Sequence, residues 1–371
     1  MSQSVTIKML AAETGFSKET VSHILSGKAR KYHYSRKTEQ TITRTARRLG
    51  YMPNSMARAA RNGCSRAIGL IHCSSPAKSY MPDSLMNGIQ EEITRRNYHL
   101  VLACVTEDIL QGKRIPKMLS ELMVDGFLTD YLYPSCSPII KRILHSRKPH
   151  IAINVDLDKN CFRPNDRQGG FDATQYLIGL GHKRISFVDL SSNIMSWNEK
   201  SFHYSELHRY EGYRDAMLQV GYQPGLILGD EFMRWVDRGD AAAPQTIMPW
   251  LFSKNRPTAI LTYHAPTGLA TIFRAADEQG IKIPEDLSIL TFSNKPYRLD
   301  GFSMTTMIEP FHTIGGEAAS ALIDKIENGS GDLPAREFPF SIVPGKSCAP
   351  PSEAGKKQFH MKIQKNGIGG F

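Results

Sequence analysis

Residues 6–27 read TIKMLAAETGFSKETVSHILSG, and this stretch decides how the amino-terminal part of the chain folds. Thr6 is placed to cap a first helix in which Ile7, Leu10 and Ala11 recur at i, i+3 and i+4. Gly15 interrupts the chain, and Ser17 is placed to cap a second helix. There Val21, Ile24 and Leu25 share one face, while Lys18, Glu19, Ser22 and His23 share the other. Two short helices joined by a tight turn have helix-turn-helix spacing. A third amphipathic helix is expected from Ser35, with Ile42, Ala46 and Leu49 inward and Arg44, Arg47 and Arg48 near its end. Any small helical bundle shows such periodicity, so charge has to separate the readings.

The 371 residues carry 46 Lys or Arg against 36 Asp or Glu, a net of +10. Residues 1–62 hold 12 basic and 3 acidic side chains, a net of +9, and the remaining 309 hold 34 and 33, a net of +1. Cations gathered on so short a segment are what phosphate neutralisation with counterion release requires, and a merely soluble surface does not need them.

The run TIKMLAAETGFSKETVSHILSGK, followed by SRKTEQTITRTARRLGYMPNSMARAARNG, resembles the head and hinge of the LacI/GalR family of bacterial transcription regulators. The marks come in fixed order: Ser-x-x-Thr-Val-Ser at Ser17 to Ser22, Leu-Gly-Tyr-x-Pro-Asn at Leu49 to Asn54, then Ala57-Arg58. The likeness continues more weakly to about residue 345. It implies that the outer face of the second helix enters the major groove of a DNA operator, with Lys18, Glu19 and His23 reading base edges. Thr6, Ser17, Thr20, Ser22, Lys28 and Tyr34 belong to the same DNA-binding set. His23 stands where the family commonly has Arg. The segment from Lys28 to Tyr34 is longer than usual and adds Arg30 and Lys31 as phosphate contacts.

Residues 53–63 can form a short helix capped by Asn54 or Ser55 and ended by Gly63. Alone it falls below the roughly 12–15 residues an isolated helix needs in water. The resemblance implies that two such hinges, one from each protomer of a homodimer, fold together in the minor groove. Asn54, Met56, Ala57, Arg58 and Ala60 would then face DNA, with Ala60 where the family carries a wedging Leu. A plain flexible linker is the alternative reading.

From Arg66 to about Pro344, apolar strands alternate with amphipathic helices, the pattern of a doubly wound α/β architecture. Strands are expected at AIGLIHC (67–73), HLVLACV from His99, GFLTDY from Gly126, HIAINV from His150, RISFVDL from Arg184, TAILTY from Thr258 and LSILTFS from Leu287. Helices are expected at 85–96, 115–123, 138–145, 171–180, 210–220, 245–252, 269–279 and 311–326. Roughly 280 residues exceed one ordinary α/β domain, so two lobes are expected.

The family resemblance implies a type I periplasmic-binding-protein-like fold whose chain crosses between lobes near Asp156–Asp166, Thr291–Met307 and Phe338–Pro344. The expected fold class is therefore a small all-α helix-turn-helix head joined by a hinge helix to an α/β two-lobed periplasmic-binding-protein-like type I domain. The expected boundaries are 1–52, 53–65 and 66–349, with a disordered tail at 350–371.

Ligands of open α/β sheets bind at the carboxyl ends of strands, which makes the cleft between lobes the expected effector site. Arg209 leads the candidates, because Arg209-Tyr210-Glu211-Gly212-Tyr213 resembles the family's effector-binding Arg-x-x-Gly-Tyr; a surface ion pair is the alternative. Asp166 is a second candidate, and Trp197, Tyr263, His264 and Tyr297 can line the cleft. The family's usual Asn-Asp and Asp-Asp are replaced by His264-Ala265 and Ser293-Asn294, of which His264, Ser293 and Asn294 stay among the effector candidates. That departure shifts the expected small ligand from an ordinary sugar towards a divergent one, or none.

Catalysis finds no support, since Gly-x-Gly-x-x-Gly, the phosphate-binding loop and the Gly-x-Ser-x-Gly elbow are all missing. His182 sits in a Gly-His-x-Arg-Ile turn where a structural hydrogen bond is expected. His203 and His208 lack a metal-ligand partner at helical spacing, and no cofactor or metal is expected. Cysteines at 64, 73, 104, 136, 161 and 348 form no Cys-x-x-Cys pair and read as reduced. The first residues lack an apolar core and no run approaches 18 apolar residues, so a cytoplasmic protein without membrane contact is expected. The expected function is a dimeric, effector-modulated repressor on a near-palindromic operator. Two other readings compete with it: a constitutive DNA-organising protein with a degenerate cleft, and a receptor whose head contacts protein.

Overall fold

The computed structural model describes residues 5–52, 64–73, 80–106, 109, 124–130, 148–190, 203–228, 256–263, 265, 268–329 and 331–351. Contacts divide the chain into Met1–Ser65 and Arg66–Phe371. The expected hinge, the helices at 115–123, 138–145 and 245–252, and the tail after 351 lie outside the described residues.

In the first unit the expected caps form. Thr6 starts α1 (Ile7–Thr14), its hydroxyl accepting from the Met9 amide at 3.3 Å. Gly15 ends that helix at φ 75°, a left-handed conformation only glycine adopts without strain, and returns its amide to Ala11 at 3.0 Å. Ser17 caps α2 (Lys18–Leu25) and Ser35 caps α3 (Arg36–Arg48), each accepting from the third amide at 3.1 Å. Leu10, Val21, Ile24, Ile42 and Ala46 close a small core, to which the intervening loop adds Ala29.

The second unit holds two six-stranded sheets. The first runs β13 (Arg336–Phe338), β5 (Cys161–Pro164), β4 (His150–Ile153), β3 (Gly126–Asp130), β1 (Ala67–Cys73), β2 (His99–Val105), all parallel. The second runs β14 (Ser341–Val343), β12 (Thr305–Ile308), β9 (Ser288–Ser293), β8 (Ala259–Thr262), β6 (Ile185–Asp189), β7 (Gly225–Leu228), with only β14 antiparallel. A short hairpin, β10 (Arg298–Leu299) and β11 (Phe302–Ser303), precedes β12. Inner strands such as β3 and β9 are buried on both faces, which is why the inner strands read as nearly unbroken apolar runs. Along β1, Ile68 and Leu70 enter one core while Ala67, Ile71 and Cys73 enter another.

Helices α4 (Asp83–Arg95) and α8 (Phe311–Asn328) pack together on the first lobe, and α5 (Asp166–Gly179) and α6 (Tyr204–Gln219) on the second. Both pairs meet through glycines. A Cβ on Gly88 would lie 2.0 Å from the His312 carbonyl oxygen, and one on Gly212 would lie 1.9 Å from that of Arg167. Helix α7 (Leu269–Glu278) covers the other face of the second sheet through Leu269 and Ile272.

The crossings sharpen the expectation. Strand β5 still pairs in the first sheet, so the first crossing falls at Asn165. Strand β12 pairs with β9, which moves the second crossing beyond Thr291–Met307 to Glu309–Pro310. The third runs through Pro339–Phe340, between β13 and β14. Asn165 donates its amide to the Phe338 carbonyl at 2.8 Å, lacing the first crossing to the third.

Candidate functional site

On the first unit, α2 presents Lys18 and Glu19 exposed, with Ser22 and His23 half-buried beside them. Lys18, Lys28, Arg30 and Lys31 make no ion pair among the described residues, whereas Arg48 is paired with Glu13. The amide of Glu19 itself and the Ser17 hydroxyl hold the Glu19 carboxyl below its ordinary range, so it is an acceptor at neutral pH. Several residues expected to contact DNA are already committed inside the head. Ser17 serves its cap and also meets Thr20 Oγ1 at 3.1 Å, and Thr6 caps α1.

His23 is held rather than free. Its ring stacks on Tyr32 at 3.9 Å with an interplanar angle of 1°, and Nδ1 lies 3.1 Å from the Tyr34 hydroxyl. The long loop from Lys28 to Tyr34 was legible as a source of cations, but its two tyrosines as supports for His23 were not. A stretch that alternates cations with tyrosines carries no helical period to reveal a stacking partner. Asn54, Met56, Ala57, Arg58 and Ala60 lie outside the described residues.

On the second unit a polar cluster gathers where strands of both sheets end, at Asn154 after β4, Tyr263 after β8, Ser293 closing β9 and Glu309 after β12. Arg209 is its centre. Rather than pairing at the surface, Arg209 is buried at 3% exposure. Nε donates to Asp166 Oδ1 at 2.7 Å, Nη2 to Glu309 Oε1 at 2.7 Å and Nη1 to the Tyr263 carbonyl at 2.9 Å. The Tyr263, Phe292 and Phe340 rings lie within 5.4 Å of the guanidinium carbon. Burial alone would lower its pKa, but the Asp166 and Glu309 carboxylates outweigh that and raise it. Burial also raises the Glu309 carboxyl, against the pull of Arg209. The other oxygen of Asp166, Oδ2, has no hydrogen-bond partner among the described residues.

Glu309 was missed because no motif marks it. Its place comes from β12, a four-residue strand too short to show a period. It supplies a carboxylate that the His264-Ala265 and Ser293-Asn294 replacements had removed from the familiar positions.

A second chain of hydrogen bonds joins the lobes. His203 Nε2 lies 2.9 Å from the Asn154 carbonyl, which can only accept, so Nε2 carries the proton and Nδ1 accepts from Ser205 Oγ at 2.7 Å. Tyr263 then donates its hydroxyl to Ser205 Oγ at 2.8 Å. Full burial lowers the His203 pKa to about 4, which keeps the ring neutral and the direction of the chain fixed. The Tyr204 hydroxyl grips the same Asn154 through Oδ1 at 3.2 Å, and Asn294 Nδ2 reaches the Tyr80 hydroxyl of the first lobe at 3.3 Å. The structure thus brings Asp166, Arg209, Tyr263 and Asn294 into one region. Ser293 contributes its carbonyl, 2.9 Å from the Glu309 amide. Tyr297 instead packs beneath the second sheet, against the core that includes Met304. Trp197 and His264 lie outside the described residues.

His182 has the structural role expected of it. Its ring meets Thr258 Oγ1 at 2.9 Å, Ser288 Oγ at 3.1 Å and the Ala349 carbonyl at 2.9 Å. Among the described residues, no helix is long and apolar enough to cross a membrane.

Residues 174–348 match the model of the periplasmic binding protein-like domain. Similarity to repressors named PurR extends through almost the whole length of both chains. The chain is 28% identical to that of Vibrio atlanticus over 351 residues, 91% of this chain and 97% of the relative. It is 25% identical to that of Photobacterium profundum over 359 residues, covering 92% and 98%. Among solved structures, the Lac repressor dimer bound to operator and an anti-inducer shares the fold at a TM-score of 0.72 and 20% identity, over 94% of this chain and 100% of that one. A CelR–cellobiose complex does so at 0.59 and 21%, over 92% and 99%. A capped helix-turn-helix head, two mostly parallel sheets joined by three crossings and end-to-end similarity to named repressors make the chain similar to the LacI/GalR family of transcriptional regulators.

Proposed function

We propose that the protein is a sequence-specific DNA-binding repressor acting as a homodimer, with α2 of each protomer in a major groove of a near-palindromic operator. The observation that carries this is the exposed face of α2 and its following loop, where Lys18, Lys28, Arg30 and Lys31 make no ion pair among the described residues. Lys18 and Glu19 read base edges, and Arg30 and Lys31 grip phosphates. The hinge residues Asn54, Met56, Ala57, Arg58 and Ala60 are assigned to the minor groove.

A small effector at the interlobe cluster modulates operator affinity. The Arg209 guanidinium is spent on two carboxylates, so an anionic ligand would have to displace them. A neutral or cationic donor can instead bond to Asp166 Oδ2. Such a ligand shifts the equilibrium only by its difference in affinity between the two lobe arrangements. The internal satisfaction of Arg209 also favours a second reading, a constitutive DNA binder whose cleft takes no effector.

Selecting sites from random DNA with the full chain, then screening metabolites for release from the best site, tests all of this. A preferred near-palindrome released by a donor-rich metabolite is expected. Binding indifferent to every metabolite would favour the constitutive reading, and no preference over scrambled competitor would defeat both.

A further inference from the structure

The loop between α2 and α3 carries two aromatic residues: Tyr32, to which the repressor reading gives no task, and Tyr34, which it counts only within the DNA-binding set. Tyr32 is 44% exposed yet lies flat on His23 at 3.9 Å, and Tyr34, packed into the head core, places its hydroxyl 3.1 Å from His23 Nδ1. The loop is shaped to do this. Ala29 is buried beneath it, Tyr34 donates its amide to the Ala29 carbonyl at 3.1 Å, and His33 adopts φ 53° at the bend. Across the ring, Nε2 has no hydrogen bond among the described residues.

We infer that Tyr32 and Tyr34 are positioning residues that fix the orientation and tautomer of His23, so that α2 presents Nε2–H, a hydrogen-bond donor, to one base. The chemistry follows from the pair itself. A phenol is a good donor and a poor acceptor beside a neutral imidazole nitrogen, so the Tyr34 hydroxyl donates to Nδ1 and leaves the ring proton on Nε2. Should the ring take a second proton, Nδ1–H turns to the Tyr34 oxygen and Nε2–H remains a donor. In either state the outward atom seeks an acceptor. Guanine offers N7 and O6 in the major groove, adenine N7 and thymine O4, whereas cytosine offers only its amino group. The base read by His23 is therefore one from which cytosine is excluded. Stacking on Tyr32 restrains the ring's rotation about its χ2 torsion, a half-turn of which would put Cδ2 where Nδ1 stands and Cε1 where Nε2 stands.

This inference rests on the proposal that α2 reads DNA, and two measurements on the full chain keep their failures apart. Nitrogen-15 shifts of the His23 imidazole in the free protein should show Nε2 protonated, and Tyr34→Phe should convert this to a mixture of tautomers. On the operator found by selection, a scan of every base pair should reveal one position where cytosine costs about tenfold in affinity. Tyr34→Phe should flatten that position more than any other base pair, with the thermal midpoint of the head unchanged. Tyr32→Leu, which keeps an apolar cover without a ring, should flatten it partly. A proton on Nδ1 in the free protein overturns the inference, as does a base-pair profile for Tyr34→Phe identical to the parent's. If neither protein discriminates any sequence while the tautomer result holds, the DNA-reading proposal has failed and takes the base assignment with it.

Discussion

The face of α2 and the interlobe cluster are both rich in polar side chains, yet they dispose of their charge in opposite ways. On α2 and its loop, Lys18, Lys28, Arg30 and Lys31 are exposed and make no ion pair among the described residues. In the cluster, Arg209 makes three hydrogen bonds to Asp166, Glu309 and the Tyr263 carbonyl, all in the interior. Unspent cations cost little in water and are available to an outside polyanion. Buried charges are tolerable only when paired, and a pair made at home resists exchange with a ligand. The first region is therefore set up to bind, and the second to hold the fold while offering a ligand only what is left over.

Replacing Arg209 with Met should break this contrast most severely. Two buried carboxylates would lose their common partner, at a cost of about 3–5 kcal/mol in urea unfolding of the full chain. The deficit should widen as pH rises, because without the guanidinium the Glu309 carboxyl, already raised by burial, holds its proton in the folded state while the unfolded state releases it. A stability within about 0.5 kcal/mol of the parent would mean that the cluster does not bear on the fold.

His203 gives the next effect. Its folded pKa of about 4 lies below the ordinary 6.5, so the unfolded state takes up the proton first. Its contribution is intact above about pH 6.5 and is lost as pH falls towards about 4, by about 3 kcal/mol in all. The stability of the parent minus that of His203→Gln should fall across this window and be flat outside it. Taking the difference cancels the opposite titration of Glu309.

Gly212→Ala should cost about 1–3 kcal/mol by driving α5 from α6. Gly179→Ala, at the end of α5 where nothing lies within 4 Å of the added carbon, should be neutral or slightly stabilising. Equal effects at the two sites would show that the close helix approach has no energetic consequence.

Within the head the comparison becomes one of specificity. Lys18→Ala should cost about 1–3 kcal/mol at one base pair and little elsewhere. Arg30→Gln and Lys31→Gln should weaken all sequences alike, each lowering the slope of log affinity against log salt by about 1. Sequence-dependent losses for the loop cations would move them from phosphate to base.

How much of this was readable beforehand depended on the range of each interaction. Thr6, Ser17 and Ser35 act on amides three residues away, and the apolar inner strands are seven residues long at most, so heads, caps and central strands could be placed from local pattern. Strands β5, β7, β13 and β14 are three or four residues long, the first three carry Pro, Arg, Gly or Glu, and the existence of all four depends on neighbours far along the chain. The same distance hid the partners of Arg209, since Asp166 is 43 residues before it and Glu309 is 100 after. The Arg-x-x-Gly-Tyr run located the right side chain but said nothing of its burial.

Arg209 touches every segment that links the lobes: Asp166 at the first, Glu309 within the second, and the Phe340 ring, 5.4 Å away, in the third. Those three segments lie side by side, so they permit the lobes to swing about a common axis and oppose sliding. A molecule that loosens either carboxylate from Arg209 would act on the pivot itself, where a small displacement becomes a large angle at the far edge of each sheet.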